Sequence, residues 1–388
     1  MKAVKITDDV YWVGGIDWNL RNFHGYLTQR GTTYNAYLVI DEKITLIDTV
    51  KHYLADEMLQ RISDVVDPAK IEVVIANHVE MDHSGSLPVI KKCAPDAQIV
   101  CSPKGAEGLA AHYGKAWDFQ PVKSGDTLSV GRRIFNFVTT PMVHWPDNMV
   151  TYSGEDKLLF SNDAFGQHIA SAERFDDQYQ VDIILEEARK YYANIVLPYG
   201  AQVQKALDAA AALDIRTICP SHGLVWRKYI PAILEKYKKW CSNTTDNRAV
   251  VVYDTMWHST EKIAQAVARG FEAGGVPADL YNLSVTHISD IMTRVMEAKY
   301  ICVGSPTLNN NMMPTVASFL TYLKGLSPKK RTGLAFGSFG WGGQSVGQVE
   351  EVLQAAWCDH LLDKIAVKYI PGDAALATIS EQVTAALR

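Results

Sequence analysis

The stretch ANHVEMDHSG, residues 76–85, sets His78, Glu80, Asp82 and His83 within six positions, directly behind the apolar run IEVVIA at 71–76. A short run of that kind, rich in β-branched residues, reads as a buried strand. Two imidazoles and two carboxylates then stand at its C-terminal end, where they can converge on a cavity. Four such groups are costly to bury unpaired. Either the segment is a solvated charged loop, or it faces cations. Imidazole and carboxylate without thiolate form a ligand set for iron, manganese or zinc.

The same arrangement recurs downstream. RRIFNFVTT (132–140) is followed by MVHWPD, which places His144. KLLFSND (157–163) ends in Asp163, and IRTICPS (215–221) runs into His222. A single histidine behind a strand is most often structural, so His144 or His222 alone would carry little. Together the strand ends offer His78, Glu80, Asp82, His83, His144, Asp163 and His222. One metal rarely takes so many side chains. Two metals sharing a carboxylate do, and still keep positions open. The bridge falls to Asp163, the lone acid among the distal segments.

The chain has 388 residues, which as a soft prior gives two domains. Hydrophobic residues make up 47% and charged residues 21%, ordinary for a globular protein. The formal net charge of −5 leaves no basic surplus for a nucleic-acid backbone. The N-terminal MKAVKITDDV lacks the apolar region of a secretory signal. No stretch approaches the roughly 18 uninterrupted apolar residues of a membrane helix. Cys93, Cys101, Cys219, Cys241, Cys302 and Cys358 are scattered, with no C-x-x-C pair. That fits reduced thiols in a cytoplasmic protein, and it argues against a rubredoxin-type iron site on this chain.

Residues 1–245 alternate short β-like runs with helical patterns at 51–66 and 181–196, an α/β domain with sheets covered by helices. The polar stretch CSNTTDNR (241–248) reads as the linker. A second domain spans 249–388. Its strands AVVVYD (249–254), YICVGSP (300–306), TGLAFGSFG (332–340) and AVKYI (366–370) are nearly continuous in apolar character. Helical patterns separate them, the first running through 260–275 and ending in Gly274–Gly275. Strict strand–helix alternation of this kind gives a doubly wound parallel sheet.

In that domain the first strand leads into DTMWHSTE (254–261). Thr255, Ser259 and Thr260 offer hydroxyls at a strand-to-helix turn, and the helix N-terminus offers free N–H groups, so the turn reads as a phosphate site. G-x-G-x-x-G and G-K-[ST] are both missing, which disfavours a dinucleotide or a nucleoside triphosphate. A monophosphate such as FMN fits. Two further loops follow strands on the same sheet edge. One carries Pro306, Thr307, Leu308 and Asn309, whose backbone can meet the ring edge. The other carries Ser338, Phe339, Gly340 and Trp341, which can bracket its far side. Met256, Trp257 and His258 complete the first loop, with Trp257 as a stacking face.

These residues carry a resemblance. The H-x-[EH]-x-D-H segment followed by distal His, Asp and His resembles the metallo-β-lactamase fold, an αββα sandwich. Zinc hydrolases of that fold usually have His where this chain has Glu80. Glu80 with the phrases HWPD and NDAFGQH resembles flavodiiron proteins, and T-M-W-x-S-T-E and S-P-T-x-N-N resemble their flavodoxin half. One departure from ordinary flavodoxins is His258, where Gly is usual. The resemblance spans essentially the whole chain.

It implies two Fe ions and FMN. His78, Glu80 and His144 would bind the first iron, Asp82, His83 and His222 the second, and Asp163 would bridge. In some members a water takes the place of His83. His24 and Tyr192 are candidates to line the pocket, and His168, five residues past Asp163, lies outside the ligand set. The implied activity is reduction of dioxygen to water and of nitric oxide to nitrous oxide. The implied partners are a separate electron donor, rubredoxin or a reduced deazaflavin, and a second copy of the chain in a head-to-tail homodimer or a dimer of dimers, with no membrane and no nucleic acid. Two other classes compete. A zinc hydrolase with a flavodoxin passenger is opposed by Glu80 and the flavin loops. A flavin electron carrier or gas sensor with a structural metal pocket is opposed by the complete ligand set.

Overall fold

A computed structural model describes residues 1–114, 117–356 and 358–388. The described residues form two compact units, Met1–Tyr191 with Ala201–Lys238, and Tyr192–Gly200 with Lys239–Arg388.

The first unit is an αββα sandwich. One sheet has seven strands in the order Val4–Thr7, Val10–Trp12, Tyr37–Val39, Thr45–Ile47, Val73–Ala76, Gln98–Cys101 and Phe119–Pro121. The other has five, Thr127–Ser129, Ile134–Thr139, Met149–Ser153, Leu158–Asn162 and Thr217–Pro220. Alternation along each strand divides the core. Val73 and Ile75 meet Phe135, Phe137 and Phe160 between the sheets. Val74 and Ala76 turn outward onto Met58, Ile62, Leu87 and Ile90. Pairing of Thr45–Ile47, Val73–Ala76 and Gln98–Cys101 is parallel, as is that of Leu158–Asn162 with Thr217–Pro220. Parallel neighbours bring their C-terminal ends to one edge, and the ligand-type residues follow there.

Two local details depart from the sequence reading. The segment behind Val73–Ala76 is not all loop, because Met81–Ser84 closes one helical turn that carries Asp82 and His83. The helix read across 181–196 ends at Tyr191. A π-turn, Tyr192–Val196, and a 3-10 turn, Leu197–Tyr199, follow before the next helix, Gly200–Ala210.

The second unit has the strand order Ala278–Asn282, Asp246–Tyr253, Ala298–Gly304, Arg331–Phe339, with Cys358–His360 and Ile365–Lys368 both pairing to Arg331–Phe339. Every pairing is parallel. The helices Ser259–Ala273 and Asp373–Ala386 pack on one face, with Ile263, Val267 and Phe271 against Ile379 and Val383. Gly270 permits that approach, since a Cβ there would lie 2.6 Å from Val383 Cβ. The stretch read as a linker is mostly structured. The helix Ile230–Cys241 enters it, and the strand begins at Asp246, whose register partner is Ala298. The last strand stops at Lys368, because Tyr369 takes the left-handed conformation (φ 58) and turns the chain.

Candidate metal and flavin sites

The seven ligand-type residues of the first unit converge. His78, Glu80, His144 and Asp163 form one group and Asp82, His83 and His222 another, each with its ligand atoms within 4.8 Å of one another. Asp163 faces both. Its Oδ2 lies 3.3 Å from His144 Nε2 and 3.7 Å from His78 Nε2. Its Oδ1 lies 2.9 Å from His83 Nε2 and 3.4 Å from His222 Nε2. Glu80 Oε2 closes the first group on His144 Nε2 at 3.3 Å. Asp82 Oδ2 closes the second on His222 Nε2 at 3.3 Å.

Protein groups outside the ligand set orient it. His78 Nδ1 donates to Asp147 Oδ2 at 2.8 Å, and the Val79 N–H donates to the same oxygen at 2.8 Å. His222 Nδ1 donates to the Thr33 carbonyl at 2.9 Å. Both bonds direct Nε2 of the ring into the cluster. Asp48 Oδ1 accepts the Asn77 N–H, and its Oδ2 accepts the amides of Asn77 and Asn162, at 3.0 and 3.4 Å. One buried acid thus ties the residue before His78 to the residue before Asp163.

The electrostatics are those of a site built for cations. Burial opposes charge on every member, yet the carboxylates and imidazoles sustain one another. Despite burial, hydrogen bonds from His144, His24 and His78 hold the Glu80 carboxyl well below its usual range. Against the same cost, the nearby rings of His83, His144 and His222 do so for Asp163. The carboxylates of Asp163 and Glu80 outweigh burial at His144, pushed up to about 9. Those of Asp163 and Asp82 do so at His222, pushed up to about 10. Even so, both oxygens of Asp82, both nitrogens of His83 and Oδ2 of Asp163 are buried without a hydrogen-bond partner. Orphaned buried nitrogen and carboxylate oxygen atoms of this kind, with His83 Nε2 beside Asp82 and Asp163, fit two hard-to-borderline metal ions such as iron.

The surroundings correct one expectation. Tyr191, not Tyr192, borders the cluster, with its ring centroid 5.8 Å from that of His222. Tyr192 packs on Trp240 instead, at 5.2 Å. His24 does reach the site, its Nε2 2.9 Å from Glu80 Oε1. His168 lies beside His222, ring centroids 4.8 Å apart and tilted by 58°, and bonds Thr32 through Nδ1, outside the two groups. Asp48 and Asp147 were not singled out from the sequence. Their signal was an acid closing the apolar run KITLIDT and the acid of HWPD.

In the second unit a cleft of 770 Å³ opens at the strand ends, lined by Thr255, Met256, Trp257, Ser259, Pro306, Thr307, Asn309, Ser338, Phe339, Gly340 and Trp341, together with Asn310, Gly342, Tyr369 and Ile370. Asn310 and Gly342 belong to the two loops read at the flavin, 305–312 and 337–343, while Tyr369 and Ile370 were not anticipated, although they directly follow a strand on the same edge. Three anticipated residues stand elsewhere. Leu308 pairs through its backbone with Asn311. Thr260 is buried, its hydroxyl 2.9 Å from that of Ser338. His258 turns to Glu261 at 2.6 Å. Its backbone is left-handed (φ 62), which is why Gly is at ease at that position. The Thr255 hydroxyl is buried without a partner, just before the N-terminus of the helix Ser259–Ala273. An orphaned hydroxyl beside free helix N–H groups fits a phosphate. Trp257 and Trp341, 87% and 92% exposed, stand on the cleft as faces for a flat ring.

Similarity to known proteins follows the same division. Residues 32–223 match the family of ODP family beta lactamases and residues 251–382 match flavodoxins. The chain is 46% identical to a nitric oxide reductase of Moorella thermoacetica, over 92% of this chain and 90% of that one. It is 43% identical to the rubredoxin-oxygen oxidoreductase of Megalodesulfovibrio gigas, over 100% and 99%. The flavodiiron protein of Giardia intestinalis superposes with a TM-score of 0.96 at 34% identity, covering 100% of this chain and 96% of that one. Relatives named as reductases along the whole length favour redox chemistry over the zinc hydrolase reading. A di-iron-type pocket on a β-lactamase-like sandwich, followed in the same chain by an FMN-type flavodoxin sheet, makes this chain an oxidoreductase of the flavodiiron family.

Proposed function

We propose that the chain reduces dioxygen to water, nitric oxide to nitrous oxide, or both, with His78, Glu80 and His144 holding one iron, Asp82, His83 and His222 the other, and Asp163 bridging. The observation that carries this is the Asp163 carboxylate, one oxygen turned to each group. When bound, the irons supply open positions and reducing equivalents for a diatomic gas, and FMN relays electrons to them. The chain's own part is positioning and proton handling. Asp147 and the Thr33 carbonyl keep His78 and His222 turned inward. Reduction consumes protons, and His24 stands at the mouth of the pocket to deliver them. Its Nε2 lies 2.9 Å from Glu80 Oε1, and that hydrogen bond, against partial burial, raises its pKa from the ordinary imidazole value.

Trp257 and Trp341 would flank the FMN ring in the cleft, and Thr255 and Ser259 would hold its phosphate. The donor is a separate protein or cofactor such as rubredoxin, after which the Megalodesulfovibrio gigas relative is named. The working form is a head-to-tail homodimer, or a dimer of such dimers, in which the flavin of one chain faces the iron of its partner. Exposed Trp257, Trp341 and Ile370 around one cleft support an interface there. The protein acts in the cytoplasm. No helix among the described residues is long and apolar enough to cross a membrane.

Anaerobic stopped-flow mixing of the flavin-reduced protein with each gas tests the reading. Rapid reoxidation by at least one gas, with two irons per chain, is expected. A protein that holds two zincs and hydrolyses a thioester or lactam without reacting with either gas refutes it.

A further inference from the structure

A second cavity, of 310 Å³, lies in the first unit against the outer face of its five-stranded sheet. Val138 and Leu159 of the sheet form one wall, and Ala206 and Leu234 of the helices Gly200–Ala210 and Ile230–Cys241 form the other. Its inner end is Val143, Ala164 and Phe165. These are chain neighbours of two proposed ligands, Val143 preceding His144, and Ala164 and Phe165 following Asp163. The cavity therefore abuts the two segments that carry the bridge and one imidazole.

Its chemistry is unlike that of the metal pocket. The lining is mainly aliphatic and aromatic, with Thr140, Ser161, Tyr237 and Lys238 as its polar members, and two of its hydroxyls are engaged. Ser161 donates to the Ala164 carbonyl at 2.7 Å, and the Tyr237 hydroxyl accepts the Phe165 N–H at 2.6 Å. Water needs several polar partners to settle, so such a space favours apolar guests. Phe165 itself is held in a conformation that non-glycine residues seldom adopt (φ 67). Its ring lies 4.4 Å from that of Tyr237, and its carbonyl accepts the Trp226 indole N–H at 2.9 Å. The aromatic pair thus lines the cavity, with Phe165 two residues beyond Asp163 in the chain. On the other side of the cluster, half-exposed Met81 and exposed His24 surround Glu80. In the head-to-tail dimer proposed above a partner's flavin faces the metal pocket, and a gas then gains from a second route to it.

We propose that this cavity is a reservoir for the diatomic gas substrate, which passes the Phe165–Tyr237 pair to reach the metal pocket from behind its ligand loops. Dioxygen and nitric oxide are small and weakly polar, and they partition into mainly apolar space more readily than ions do. The inference rests on the gas-reductase reading above.

The test uses the full-length, iron- and FMN-loaded protein and xenon as probe, with Ala206→Phe to fill the cavity. Xenon should be found between Val138, Leu159 and Leu234 in crystals of the unaltered protein and be displaced in the variant. The variant should lose about fivefold in kcat/KM for the gas, with iron content, FMN reduction and kcat at saturating gas unchanged. Leu234→Phe fills the same space from the other helix and serves if Ala206→Phe does not fold. A cavity that takes up no xenon overturns the proposal, as does a filled variant that has lost xenon and keeps its kcat/KM. An unaltered protein that turns over neither gas refutes the reductase reading instead, a result that xenon occupancy does not affect.

Discussion

Asp48 grips Asn77 with both carboxylate oxygens, Oδ1 on its backbone N–H at 2.8 Å and Oδ2 on its side-chain amide at 3.0 Å. Because Oδ2 also accepts the Asn162 amide, an asparagine in place of Asp48 would set its own amide against donors. Asp48→Asn is expected to cost about 1–3 kcal/mol, the penalty for an unsatisfied buried donor. It should also lower iron occupancy, since His78 and Asp163 follow the two asparagines. Urea denaturation with metal analysis checks this, and unchanged stability with full iron would disprove the clamp.

Asp163→Asn keeps the side-chain volume and removes the charge that both groups share. Loss of groups that merely orient a ligand typically costs tenfold to a hundredfold, so more than about tenfold should be lost here in gas reduction. Iron should fall with it, while the flavin absorbance stays intact because FMN belongs to the other unit. A variant that keeps both irons and full turnover shows that Asp163 does not bridge.

The metal-free protein should lose stability as pH rises. His144 and His222 move from an ordinary 6.5 up to about 9 and about 10, so folding favours their protonated forms. That contribution is complete below about 6.5 and is lost as pH climbs through the two raised values. Calorimetry of chelator-treated protein should show the melting temperature falling over this interval. Iron-loaded protein should show a smaller change, because bound metal already requires neutral rings. A flat profile for the stripped protein contradicts the assignment.

Cross-chain electron transfer predicts complementation between two inactive variants. His78→Ala breaks the metal group. The flavin-breaking partner is best placed at Thr255, whose hydroxyl is buried without a partner, and not at Thr260, which is bonded to Ser338. Thr255→Asp sets a negative charge at the phosphate position and should abolish FMN binding. Mixed dimers should regain part of the gas-reductase activity after subunit exchange. No recovery after exchange has been demonstrated by labelled subunits would rule the arrangement out.

What the sequence reveals follows from how local each signal is. His78, Glu80, Asp82 and His83 are legible because ligand chemistry packed into six positions has few other uses. His144, Asp163 and His222 are legible because each stands behind an apolar strand run. Asp48 and Asp147 are not, since their partners lie 29 and 69 residues away and an acid closing a strand looks like any other. Tyr191 was missed for a geometric reason. Neighbours on a helix point about 100° apart, and the change to a π-turn at Tyr192 decides which of the two tyrosines faces the cluster. In the second unit, alternation alone discloses the parallel sheet. The turn of the chain at Tyr369, which adds two residues to the flavin cleft, depends on one left-handed residue that no periodicity announces.

The bond from His78 Nδ1 to Asp147 has a consequence for biogenesis. It uses only protein atoms, as do the His222 bond to Thr33 and the Asp48 clamp. The pocket is therefore shaped by folding itself, and loading comes afterwards. A chain made during iron scarcity would await its metal as a finished receptacle, and whichever divalent ion the cell supplies first would become its occupant.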